Sequence, residues 1–94
     1  MFIVLLKFAN KSKAGEFMSG HNEWIKRGFD DGVFLLVGSV QPNRGGAIIA
    51  RAASLLELQD RVNADPFVVE KVVEAEILEI APSKADARLS FILQ

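Results

Sequence analysis

The hydrophobic period of this chain changes between residues 8 and 14, and that change constrains the fold more than any other feature. Phe2-Ile3-Val4-Leu5-Leu6-Lys7-Phe8 is an apolar run of strand length, closed by Ala9-Asn10-Lys11-Ser12, which has turn and cap chemistry. Beyond it Ala14, Phe17, Met18, His21, Trp24, Ile25 and Gly28 recur at three- and four-residue spacings, which sets them on one face of a helix. Ser12 is the candidate N-cap, and Asp30-Asp31-Gly32 ends the helix.

The same alternation of periods repeats. Val33 to Val40 is a second strand, Gln41-Pro42-Asn43-Arg44-Gly45-Gly46 is a loop of turn formers, and Ala47 to Ala52 is a third strand, so the two strands form an antiparallel hairpin. Ser54-Leu55-Leu56-Glu57 has the pattern of a capping box, which starts a second helix with Leu55, Leu58 and Val62 on its buried face. That helix stops near Asn63-Ala64, because Pro66 disfavours helical geometry at Asp65. Val68 to Ile80, in which Val73, Ala75 and Ile77 alternate with Glu74 and Glu76, is predicted as the fourth strand. Pro82 ends it, and a polar connector leads to Leu89-Ser90-Phe91-Ile92-Leu93.

Strand, helix, strand, strand, helix, strand is the split βαβ order of a ferredoxin-like α+β fold. It predicts a four-stranded antiparallel sheet with both helices on one face. No linker divides the 94 residues, which read as a single domain with a core over 1–81 and a tail over 83–94. The first three strands are apolar at consecutive positions, whereas a sheet with one wet face should alternate. The second face therefore needs a cover, and an identical subunit is the economical one. A homodimer is expected, with the tail available to clip onto the partner.

Composition narrows the function classes. With no cysteine, the chain has no disulfide, thiol nucleophile or thiolate metal site, which fits a reducing compartment and a cytoplasmic location. The apolar start reaches only from Met1 to Leu6 before Lys7, so it reads as a strand rather than a leader, and no run approaches the ~18 apolar residues of a membrane span. A formal net charge of −1 with scattered lysines argues against a nucleic-acid surface.

His21 is the single histidine and shares its helix face with apolar and aromatic residues. It suits either a packed histidine at the core edge or a general acid or base in a water-poor cleft. Asp65 before Pro66 has the chemistry of an N-cap with proline at the first helical position, and capping alone explains the pair of residues. Ser39 and Arg51 lie near the ends of the hairpin strands and are weaker candidates for lining a pocket. One histidine among scattered carboxylates lacks metal-site spacing, and Gly45-Gly46 sits in a hairpin rather than between a strand and a helix, so neither a metal nor a phosphate loop is expected.

Gly20-His21-Asn22-Glu23-Trp24 on the first helix, Asp65-Pro66-Phe67 after the second, and their order within a split βαβ frame resemble the YCII-related (YciI-like) family of dimeric α/β-barrel proteins. The resemblance implies an active-site pair on His21 and Asp65, with Trp24 and Phe67 of the same motifs as binding residues. Among family members is a lyase that eliminates chloride from a chlorinated hydroxyhydroquinone. The wider barrel class includes muconolactone isomerases and small monooxygenases. Gly38-Ser39-Val40 departs from the more usual glycine-proline ending of the second strand. The function expected is a lyase or isomerase that needs no cofactor and moves a proton on a small aromatic or enolisable acid. The alternative is a module that binds a small ligand, or only dimerises, without catalysis.

Overall fold

The computed structural model describes residues 1–93. Strand β1 (Phe2–Phe8) leads through a 3₁₀ turn (Lys11–Lys13) into helix α1 (Ala14–Asp30), and the hairpin of β2 (Phe34–Val40) and β3 (Gly45–Ala50) follows. Helix α2 (Leu55–Asn63), the short α3 (Pro66–Val69) and strand β4 (Val73–Glu79) complete the core, before a 3₁₀ segment at Ala87–Leu93. The sheet order is β2-β3-β1-β4 with antiparallel neighbours, the arrangement of a ferredoxin-like α+β fold.

Register decides which residues meet. Phe2 lies beside Ala50 and Val4 beside Ile48, and across β3 these face Phe34 and Val37. Together with Trp24, Leu58, Val62 and Phe67 from the helices they form the buried core on one face of the sheet. The same row continues to Leu6, Gly46 and Ser39. Side-chain bulk on the helix-facing side therefore falls away toward the hairpin end, where glycine stands in the middle strand.

The other face carries Ile3, Leu5, Leu36, Ile49 and Leu78, with Lys7 paired to Glu76 at 2.9 Å. Leu36 and Leu78 are exposed there, at 57% and 43%. Within the chain, Phe91 of the tail reaches the guanidinium of Arg51, 5.9 Å from the ring centroid, at the far end of β3. No helix among the described residues is long and apolar enough to cross a membrane.

Four expectations need correction. Ser12 does not cap α1: its hydroxyl donates to Asn10 Oδ1 at 2.7 Å, and a 3₁₀ turn precedes the helix instead. Leu55, the first residue of α2, is exposed, whereas Leu58 and Val62 are buried. The hairpin turn is tighter than expected, so Gly45 and Gly46 belong to β3 and its end falls at Ala50. The fourth strand starts only at Val73, because Asp65 and Pro66 nucleate a helical turn over residues that read as strand.

Candidate functional site

The site is built where α1 crosses α3. Asp65 takes an extended backbone (φ −61°, ψ 124°) as N-cap, Pro66 supplies the preset φ of the first helical position, and Asp65 Oδ1 accepts from the Phe67 backbone N–H at 3.0 Å. Gly20 lets α1 come close: a Cβ there would sit 3.1 Å from Pro66 Cγ. The ammonium of Lys13 ties the start of α1 to the end of α3 by donating to the Glu70 carbonyl at 3.0 Å. With the two helices so held, His21 on the next position of α1 places Nδ1 2.8 Å from Asp65 Oδ1.

Burial gives this contact its character. Asp65 is fully buried and the His21 side chain is only 11% exposed, so water screens the pair little. An ionised carboxylate only accepts, so in the neutral imidazole Nδ1 carries the hydrogen and Nε2 the lone pair. Nε2 has no hydrogen-bond partner among the described residues and is not a buried orphan; the one such side-chain atom there is Asp65 Oδ2. The imidazole lies flat on the Phe67 ring, with centroids 3.9 Å apart and planes 4° from parallel, which fixes its tilt.

His21 borders a cavity of about 240 Å³ between α1 and the hairpin end of the sheet. Leu6, Phe8, Met18, Ile25 and Phe67 give it apolar walls, and Gly46 and Ser39 lie on the strand side. Asp65 stands behind the imidazole and is not among the lining residues. An imidazole oriented by a buried carboxylate at the wall of an apolar hollow can accept a proton from a ligand there.

The other candidates fall in different places. Phe67 and Ser39 line the cavity with His21. Trp24 does not; its indole N–H donates to the Arg61 carbonyl at 2.9 Å and its ring meets Phe34 edge-on, so it clamps α1 to α2 beneath the histidine. Arg51 is also elsewhere, because it follows the far end of β3, while Ser39 lies beside the turn. It lines a separate surface trough of about 860 Å³ with Asp31, Glu57 and Arg61. That trough is the larger hollow, but its wall mixes both charge signs, Arg61 is already paired to Asp31 at 2.7 Å, and no histidine borders it. The smaller cavity has the chemistry. Sequence reasoning missed Leu6, Phe8, Met18 and Ile25 as walls and Gly46 as floor; the helical period carried a signal for Met18 and Ile25, the hairpin register for Gly46.

Fold and site define a ferredoxin-like α+β domain with a histidine-carboxylate pair at the edge of an apolar cavity. The chain belongs to the YCII-related domain family, whose sequence model matches residues 1–81. Among solved structures it is similar to the 5-chloro-2-hydroxyhydroquinone dehydrochlorinase of Burkholderia phenoliruptrix in complex with 2,5-dihydroxybenzoquinone. That likeness has a TM-score of 0.65 at 12% identity and covers 86% of this chain and 94% of the other, a similarity of fold. No curated protein matches the sequence.

Proposed function

We propose that the chain is a cytoplasmic, homodimeric, single-domain enzyme of the lyase or isomerase type that needs no cofactor, with His21 as acid-base group and Asp65 as its positioning residue. The observation that carries the reading is the 2.8 Å contact from Nδ1 to a fully buried carboxylate, made by a histidine that borders the cavity and whose Nε2 has no hydrogen-bond partner among the described residues. Nε2 takes a proton from a hydroxyl or an activated carbon of a small aromatic or enolisable substrate. The electron pair left behind moves into the ring or enol system. Either the proton returns at another carbon, which is isomerisation, or an anion leaves with the displaced pair, which is elimination. Asp65 stabilises the imidazolium between those steps, and no redox partner is required.

Family membership and the fold shared with a dehydrochlorinase support the elimination branch. The apolar second face, with Leu36 and Leu78 exposed, supports the dimer. The lack of cysteine supports a reducing compartment. Chloride release from 5-chloro-2-hydroxyhydroquinone, followed by ion chromatography, is the direct test. Turnover is expected to disappear in His21→Gln and in Asp65→Asn with the fold kept, and the double variant should lose little more than either single one, since groups that act as a unit are non-additive. Saturable binding without chloride release or any other product would place the chain among ligand-binding modules instead.

A further inference from the structure

The cavity beside His21 owes its shape to one position. On the helix-facing side of the sheet the row Phe34, Ala50, Phe2 is followed by Val37, Ile48, Val4 and then by Ser39, Gly46, Leu6. The first two rows are filled and buried, apart from the half-buried Val37. In the third row a Cβ placed on Gly46 would meet only the Gly38 carbonyl oxygen, at 3.5 Å, and nothing else within 4 Å. Its backbone does not need glycine either, since the left-handed conformations in this hairpin fall on Asn43 (φ 56°) and Gly45 (φ 125°). A side chain at 46 would thus be tolerated by the backbone, and the space above it would be lost.

We infer that the bare strand at Gly46, with the Ser39 hydroxyl beside it, selects the ligand of the His21 cavity: an uncharged single ring lying over Gly46, with one polar group at Nε2 and another at Ser39. The inference rests on the reading of His21 as the group that meets substrate. Volume sets the size. A hollow of about 150 Å³ holds benzene, so about 240 Å³ accommodates one ring with small substituents. Polarity sets the charge. His21 and Ser39 are the cavity's polar side chains, so a carboxylate would lie against Leu6, Phe8 and Val73 with no lysine or arginine in the wall. Ser39 Oγ makes no hydrogen bond among the described residues, which leaves it for a ligand hydroxyl.

The probes are hydroquinone, phenol and 2,5-dihydroxybenzoate, with binding read by NMR from the His21 imidazole. The wild type should bind hydroquinone saturably and its carboxylate, 2,5-dihydroxybenzoate, at least about tenfold more weakly. Ser39→Ala should weaken hydroquinone by roughly three- to tenfold and leave phenol unchanged, because phenol has no second hydroxyl to lose. Gly46→Val should abolish hydroquinone binding while the Nδ1 proton resonance and the melting temperature stay at wild-type values. If Gly46→Val unfolds the chain, Gly46→Ala, whose methyl makes only an ordinary contact with the Gly38 carbonyl oxygen at 3.5 Å, should still weaken hydroquinone and tighten nothing. Wild-type affinity in Gly46→Val, absence of saturable binding by the wild type, or equal binding of the carboxylate would each overturn the inference. Chloride release lost in His21→Gln but hydroquinone affinity kept in Gly46→Val would overturn it while leaving the proposed chemistry in place.

Discussion

Replacing Gly20 by alanine tests whether the approach of α1 to α3 is what makes the histidine-carboxylate pair. In a helix interior the change ordinarily gains about 1 kcal/mol, since alanine loses less backbone entropy than glycine. Here the new methyl would lie 3.1 Å from Pro66 Cγ and 3.6 Å from its Cβ, so the first contact must open by a few tenths of an ångström. The proline cannot rotate away, because its ring is closed onto the backbone at the first position of α3. The helices must part, and His21 Nδ1 to Asp65 Oδ1, at 2.8 Å, spans the same gap. A few tenths more takes it out of the short range of charge-assisted hydrogen bonds, ~2.7 to 2.9 Å.

Overpacking of this kind costs about 1 to 3 kcal/mol, which cancels or exceeds the helical gain. The net expectation is a loss between roughly 0 and 2 kcal/mol. Gly15→Ala is the control: it lies on the same helix with nothing within 4 Å of the new methyl, and should gain about 0.5 kcal/mol. Urea denaturation of both variants gives the difference, and the ¹⁵N resonances of the imidazole report the pair. Gly20→Ala as stable as Gly15→Ala, with an unchanged Nδ1 proton, would refute the close-approach argument.

Ser54→Ala should cost about 1 kcal/mol in chemical denaturation, because Ser54 Oγ accepts from the Glu57 N–H at 3.1 Å as the N-cap of α2; ligand binding should not change. Gly28→Ala should cost about 1 to 3 kcal/mol by the same assay, since a methyl there runs into the Phe34 ring. The wild type should sediment at twice 10.3 kDa, and Ile49→Glu, which puts a charge on the outer face beside Ile3, should sediment as the monomer. A wild-type monomer at micromolar concentration would remove the basis for the homodimer.

Local chemistry made the elements legible: the period change after Phe8, the Ser54–Glu57 spacing, and Asp-Pro at 65–66 each act through neighbours in the chain. The β4 start was missed because Val68 and Val69 have strand propensity, and the turn nucleated by Asp65 overrides it. That His21 lies on the buried side of α1 was readable from spacing. That it meets Asp65 was given only by the family resemblance and not by spacing, since the meeting depends on which helices touch, and Gly20 lies against Pro66 where they do. Arg51 could have been separated from Ser39, because in an antiparallel hairpin the residue next to the turn and the residue past the far strand end lie at opposite ends of the sheet. Gly46 as a cavity floor needed the pairing with Leu6, which the loop length alone did not fix.

Capping and proton transfer are not competing accounts of Asp65, because one oxygen serves both: Oδ1 accepts from the Phe67 N–H at 3.0 Å and from His21 Nδ1 at 2.8 Å. Capping by itself does not explain the residue's position. Ser54 caps the longer α2 from the exposed surface with a neutral hydroxyl. Asp65 caps only the four residues of α3, yet it is wholly buried and leaves Oδ2 without a partner among the described residues. Burying a carboxylate with an unpartnered oxygen costs more than the ~1 kcal/mol that an N-cap returns. A buried acceptor does, however, keep the imidazole in one tautomer and one orientation. The burial is therefore accounted for by the histidine rather than by the helix. On that reasoning Asp65→Ser, which retains a capping oxygen and removes the charge, should keep most of the fold's stability and lose turnover as fully as Asp65→Asn does.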